Sequence, residues 1–74
     1  DLERAQQDFT KATELSPEEW LTWGNRAFVA YKLGKLRDSV SFYQQALEQS
    51  PPENERILIE QNLSEIKQEI AKAK

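Results

Sequence analysis

Between Trp20 and Pro51 the chain reads WLTWGNRAFVAYKLGKLRDSVSFYQQALEQSP. Its features belong to a pair of amphipathic helices. In the first half Trp20, Trp23, Ala27, Ala30 and Tyr31 recur at i, i+3 and i+4 spacings, which collects them on one side of a helix. In the second half Leu36, Val40, Tyr43, Ala46 and Leu47 do the same. Gly34 lies between the halves, where a residue free to turn left-handed can end the first helix. Both stripes alternate alanine with large residues. Small residues let two helix axes approach, and aromatic rings fill the space that remains.

Working outward, Ser16-Pro17-Glu18-Glu19 reads as a helix start. Serine can cap, proline suits the first helical position, and Glu19 can reach back to complete a capping box. Ser50-Pro51-Pro52-Glu53 repeats the device 34 residues later. At that offset Leu2 falls on Leu36, Ala5 on Ser39, Phe9 on Tyr43 and Ala12 on Ala46. Large residues therefore meet large ones and small meet small, which marks an internal repeat. The expected architecture is all-α, with helices over about 1–15, 18–33, 36–49 and 53–72. Short joints predict antiparallel neighbours. The outer helices offer their own stripes, Leu2, Ala5, Phe9 and Ala12 in the first and Ile59, Leu63, Ile66 and Ile70 in the last.

Composition narrows the function classes. The 74 residues make one small unit, and its stability leans on good helix packing or on a partner. There is no cysteine or histidine, so thiol chemistry, disulfides and imidazole metal sites are excluded. The net charge is −3 with both signs interspersed, and the basic residues Arg26, Lys32, Lys35 and Arg37 are offset by Glu18, Glu19 and Asp38, so no nucleic-acid partner is expected. No apolar run approaches a membrane span. Glycine is too scarce for a phosphate loop, Ser39 and Ser41 lack a histidine base, and the acidic pairs are explained by helix starts and surface. The reading is therefore of a non-enzyme with no cofactor, soluble and by default cytoplasmic. The chain opens at Asp1 inside a helical pattern, as expected of a segment of a longer protein.

The 34-residue period resembles the tetratricopeptide repeat family. Trp23 stands at the family's leading tryptophan, Ala27 at its small packing residue, Gly34 at its turn glycine and Ser39 at its usual alanine. Tyr43, Ala46 and Pro51 match the aromatic, alanine and proline of the second helix and its exit. The resemblance implies a TPR-like α-solenoid segment in three parts. Residues 1–17 are the second helix of a partial preceding repeat, 18–51 a complete helical hairpin, and 52–74 a longer capping helix. In that last part Ile57 takes the tryptophan place, but Gln61 replaces the small residue. Its polar outer face is expected from Glu60, Glu65, Lys67, Glu69 and Lys72.

The resemblance also implies a function. First helices of such repeats line a groove that receives a peptide or protein, as in adaptors and scaffolds. Carried onto this chain, the groove residues are Leu21, Gly24, Asn25, Phe28 and Lys32, then Glu55, Leu58, Ile59 and Asn62. Asn25 and Asn62 suit backbone groups, Lys32 a carboxylate, and Phe28 an apolar anchor. Each has a plainer reading: Phe28 as core, Gly24 as room for helix packing, Asn25 and Lys32 as solvated surface. Trp20 is read as packing about Pro17 in preference to anchoring a ligand. The two-carboxylate clamp of some chaperone-binding members is incomplete. Asn25 resembles one member, but Phe28 and Ile66 stand where polar or basic residues would be sought. The alternative function is structural self-assembly through an apolar edge formed by Leu2, Phe9 and Ala12.

Overall fold

The structure, a computed structural model, describes residues 1–73. Four α-helices follow one another: α1 (Leu2–Leu15), α2 (Trp20–Lys32), α3 (Leu36–Glu48) and α4 (Glu53–Lys72). Each packs on its sequence neighbour, with α2 on α3 the most extensive contact. The Cα envelope measures 35 × 30 × 15 Å. Its shortest dimension is that of two helical layers, since a Cα cylinder of radius about 2.3 Å stacked on another at 8–10 Å spans roughly 13–15 Å. This is an all-α arrangement consistent with stacked helical hairpins.

The helix ends use the expected residues differently. Ser16 does not cap α2. It ends α1, giving its N–H to the Ala12 carbonyl at 2.9 Å. Its own carbonyl then accepts the Glu19 N–H at 3.2 Å, which makes Ser16–Glu19 a tight turn with proline at its favoured second position. Glu19 becomes the N-cap of α2 without a side-chain bond, so the capping box does not form. The second Ser-Pro departs similarly. Ser50 has φ 55° at the exit of α3, and Pro52 is the N-cap of α4, with no side chain to cap. Glu53 and Glu55 supply favourable charge to that first turn.

Gly34 acts as the sequence suggests. With φ 80°, its N–H reaches the Tyr31 carbonyl at 3.0 Å, and the Lys35 N–H reaches Ala30 at 2.9 Å. That pair of bonds is a Schellman motif.

The core lies between α2, α3 and α4 and is built from Ala27, Tyr43, Ala46, Ile59, Leu63 and Ile66. Trp20, Trp23, Tyr31, Leu36, Val40, Phe42, Leu47 and Ile70 pack around it half-buried. Ala27, Ser39 and Ala46 are fully covered, so small residues do bring the helices together. Ser39 also donates from Oγ to the Ala27 carbonyl at 2.8 Å, and its buried hydroxyl is therefore satisfied. Helix α1 contributes little to this core. Leu2 is exposed, Ala5, Phe9 and Ala12 are half-buried, and its one buried residue is Thr13.

A polar knot fastens α1 to the rest. Thr13 Oγ1 donates to the Thr10 carbonyl at 2.8 Å and accepts from Arg26 Nη1 at 2.9 Å. The Arg26 guanidinium lies 4.1 Å from the Phe42 ring centre and 5.7 Å from that of Trp23. These two rings are themselves 6.2 Å apart. The Trp23 indole N–H donates to the Pro17 carbonyl at 2.7 Å. Trp23 thus reaches Pro17 through its indole N–H, and both Trp20 and Trp23 pack against the core.

Candidate functional site

Of the groove residues on α2 that the resemblance implies, Leu21, Phe28 and Lys32 share a face at i, i+7 and i+11, with Gly24 and Asn25 between them. On α4, Glu55, Leu58 and Asn62 share a face at i, i+3 and i+7. The structure leaves Leu21, Phe28 and Leu58 exposed at 53%, 51% and 53%. The core has not taken them up, and the plainer reading of Phe28 as core does not hold. Ile59 is different, because it is buried and belongs to the core.

Gly24 gains meaning from its surroundings. A Cβ there would meet nothing within 4 Å, so helix packing does not call for a glycine. A mid-helix glycine costs roughly 0.5–1 kcal/mol relative to alanine. Gly24→Ala is therefore expected to stabilise the fold by about that amount, read as a higher denaturation midpoint in urea. No gain, or a loss, would mean that something not visible here fills the space.

Two of the groove residues meet at a cleft of about 110 Å³ between α2 and α4. Phe28 and Tyr31 form the α2 wall, Tyr43 of α3 joins them, and Asn62, Glu65, Ile66 and Glu69 form the α4 wall. Helical geometry explains this grouping, because Asn62, Glu65, Ile66 and Glu69 follow at i, i+3, i+4 and i+7. Leu21, Gly24, Asn25, Glu55 and Leu58 lie outside the cleft itself. Lys32 also lies outside it, with its ammonium 5.4 Å over the Phe28 ring centre. Glu65 and Glu69, expected on the polar outer face of a capping helix, are exposed, and they also line this cleft. That they flank a cleft could not be read from the sequence, which gives no register between α2 and α4.

The cleft carries two carboxylates, and Tyr31 registers them. The Glu69 carboxylate, first by its charge and then by accepting a hydrogen bond, raises the Tyr31 phenol above its ordinary value of 10.0. Slight desolvation and Glu65 act in the same direction. Burial raises Tyr43, partly offset by the Asn62 side chain. Both shifts favour the protonated phenol in the folded chain. Their contribution is fully present below pH 10.0, the ordinary value, and is lost as pH rises through the folded pKa values. Urea midpoints measured across alkaline pH should hold level and then fall, and fall less in Tyr31→Phe. Equal slopes in the two proteins would contradict this account of Tyr31.

Two shallower depressions lie elsewhere. One of about 420 Å³ is lined by Gly34, Lys35, Leu36, Arg37, Asp38, Ile70 and Ala73. Another, of about 240 Å³, is lined by Arg37, Val40, Lys67 and Ile70. Two of the basic residues near the middle turn have hydrogen-bond partners. Arg26 is in the knot, and Lys35 Nζ donates to Gln6 Oε1 of α1 at 2.9 Å. Among the described residues no helix is long and apolar enough to cross a membrane.

With the hairpin and its neighbours in place, the comparison with known families is direct. Residues 22–53 match the tetratricopeptide repeat. The matched segment runs from the second residue after Trp20, through the Gly34 turn and α3, to the first residue of α4. It contains the Trp23, Ala27, Gly34, Tyr43, Ala46 and Pro51 positions on which the resemblance rested, whereas α1 and nearly all of α4 lie beyond it. The chain thus carries a TPR-like region within a small four-helix arrangement. No curated protein matches the chain.

Proposed function

We propose that the chain is a non-catalytic protein-interaction module of the adaptor or scaffold kind, and that the face shared by α2 and α4 binds an extended peptide segment of a partner protein. The observation that carries this reading is the exposure of Phe28 beside the α2–α4 cleft. A large apolar residue left half in water by a small core, at a concave site lined by aromatic and acidic side chains, suits a hot-spot anchor. Leu21 and Leu58 extend the apolar character along the same helix faces. Gly24, which packing does not require, keeps the α2 backbone free of a side chain between Leu21 and Phe28. Asn25 and Asn62 supply donors and acceptors for peptide backbone.

The test is selection of peptides from a random display library against the 74-residue chain, followed by chemical-shift mapping. Selected peptides are expected to shift Leu21, Phe28, Leu58 and Asn62, and to lose at least about tenfold in affinity on Phe28→Ala. Because Phe28 is half exposed, that variant should keep the helical circular dichroism of the parent. Peptides that bind a folded Phe28→Ala chain undiminished would sink the groove.

A second reading, self-assembly through α1, is favoured by Leu2 at 42% and Leu15 at 76% exposure. Phe9 and Ala12 are half-buried, leaving less of that edge open than the sequence implied. Sedimentation across concentration tests this reading. Association that weakens in Leu2→Asp would support it, and a concentration-independent monomer would exclude it.

A further inference from the structure

We infer that the α2–α4 cleft takes the cationic side chain of a lysine or arginine in the bound peptide. This rests on the groove reading above and specifies what the groove selects.

Three observations carry it. The first is size. About 110 Å³ is well below the 300 Å³ or so at which small-molecule pockets begin, yet it is several times the roughly 30 Å³ share of one water. It suits one side chain, not a cofactor or a folded element. The second is the lining. Phe28, Tyr31 and Tyr43 present aromatic surface for an aliphatic stem and a cation. Glu65 and Glu69 add negative charge, and Asn62 a neutral acceptor. Neither carboxylate is paired with a basic side chain, since the ion pairs among the described residues join Arg56 to Glu53 and Glu60. The third is independent of those acids. The chain seats an ammonium of its own, that of Lys32, 5.4 Å over Phe28. The ring that forms one wall of the cleft therefore already serves as a cation platform. A carboxylate entering the cleft would instead meet two like charges, which argues against the acidic tail a carboxylate clamp would hold.

Lys32 changes role on this view. The sequence suggested that it grips a ligand carboxylate, whereas beside Phe28 it competes with an incoming cation. The two ideas predict opposite signs for one substitution, because Lys32→Gln should weaken an acidic ligand and strengthen a basic one.

The probes are Nα-acetyl-lysine amide, Nα-acetyl-arginine amide and the neutral, similarly shaped Nα-acetyl-norleucine amide, titrated into the whole chain and followed by NMR. The expected result is saturable shifts at Phe28, Tyr31, Asn62, Glu65 and Glu69 with the two cations, and several-fold weaker binding of norleucine. Glu65→Gln with Glu69→Gln should cost about tenfold, the upper range for two partly exposed ion pairs. Lys32→Gln should gain roughly twofold. All three substitutions are at exposed positions, so circular dichroism should be unchanged. Norleucine binding as well as lysine, cation binding indifferent to both glutamines, or a loss on Lys32→Gln would each overturn the inference. The library peptides separate this failure from that of the groove. Peptides that map to Leu21, Phe28 and Leu58 but carry no enriched lysine or arginine would overturn the cation preference and leave the groove standing. Peptides that map to another face would overturn both.

Discussion

Replacing Tyr43 by alanine is expected to cost about 3–5 kcal/mol, enough to remove most of the stability of so small a unit. Tyr43 is 5% exposed and belongs to the cluster that joins Ala27 of α2, Ala46 of α3 and Ile59, Leu63 and Ile66 of α4. Its ring is therefore common to three helices. Ala27 on α2 cannot readily move in to fill the vacated volume, because α2 and α3 already meet closely at the fully covered Ser39, whose Oγ bonds the Ala27 carbonyl. The cavity term should thus be near the top of its usual range. Urea or thermal unfolding followed by circular dichroism at low temperature measures it. Tyr43→Phe separates packing from hydroxyl and should lose only about 1 kcal/mol, since the hydroxyl faces the cleft near Asn62. A Tyr43→Ala chain with a midpoint close to the parent's would show that this core does not act as the common keystone described here.

The second large effect belongs to Arg26. Arg26→Ala is expected to cost about 2–3 kcal/mol, combining cation–π contact with two rings and a charge-assisted bond to a buried hydroxyl. The guanidinium lies against Phe42 and Trp23 and bonds Thr13, whose side chain is 2% exposed. Lysine is a poor substitute because it cannot lie flat on a ring while donating sideways, so Arg26→Lys should recover less than half of the loss. A double-mutant cycle with Thr13→Val isolates the bond. Strict additivity of Arg26→Ala and Thr13→Val would mean that the contact contributes nothing of its own, and that the rings alone account for the effect.

Those two residues show where the sequence was legible. Tyr43 could be placed in the core from spacing alone, and so could Ala27, Ala46, Ile59, Leu63 and Ile66. The Gly34 turn was equally plain, because a Schellman ending leaves a specific residue in a specific place. Arg26 could not be read. An isolated arginine beside a tryptophan looks like surface, and only the docking of α1 and α3 on either side reveals the knot. Phe42 was missed for the same reason: it lies next to Tyr43, off the α3 stripe, and faces a partner that the stripe does not describe. Val29, buried on α2, carried no spacing signal relative to the main stripe.

The Ser-Pro pairs failed in a more local way. Their chemistry fits a helix start, but it fits a turn that closes the preceding helix just as well, and hydrogen bonds at Ser16 and Ser50 favour the second use. Of the candidate site, helical spacing makes legible only that Leu21, Phe28 and Lys32 share a face, while their assignment to a groove came from the family resemblance. Which face of α4 meets α2 was not legible, since it depends on how α3 sets the two helices. Asn62 was named for the groove, while Glu65 and Glu69 were named only for the polar outer face; both are exposed, and both also line the cleft.

Helix α1 holds to the rest through the Thr13–Arg26 and Gln6–Lys35 bonds and leaves its apolar stripe half-buried, whereas α2 to α4 share a continuous oily interior. Cohesion is therefore graded along the polypeptide. Thermal opening is expected to begin at the amino-terminal member while the remainder stays shut, with amide protons there trading with deuterium soonest. The molecule should then act less as a single all-or-none block than as a closed book with a loose front cover.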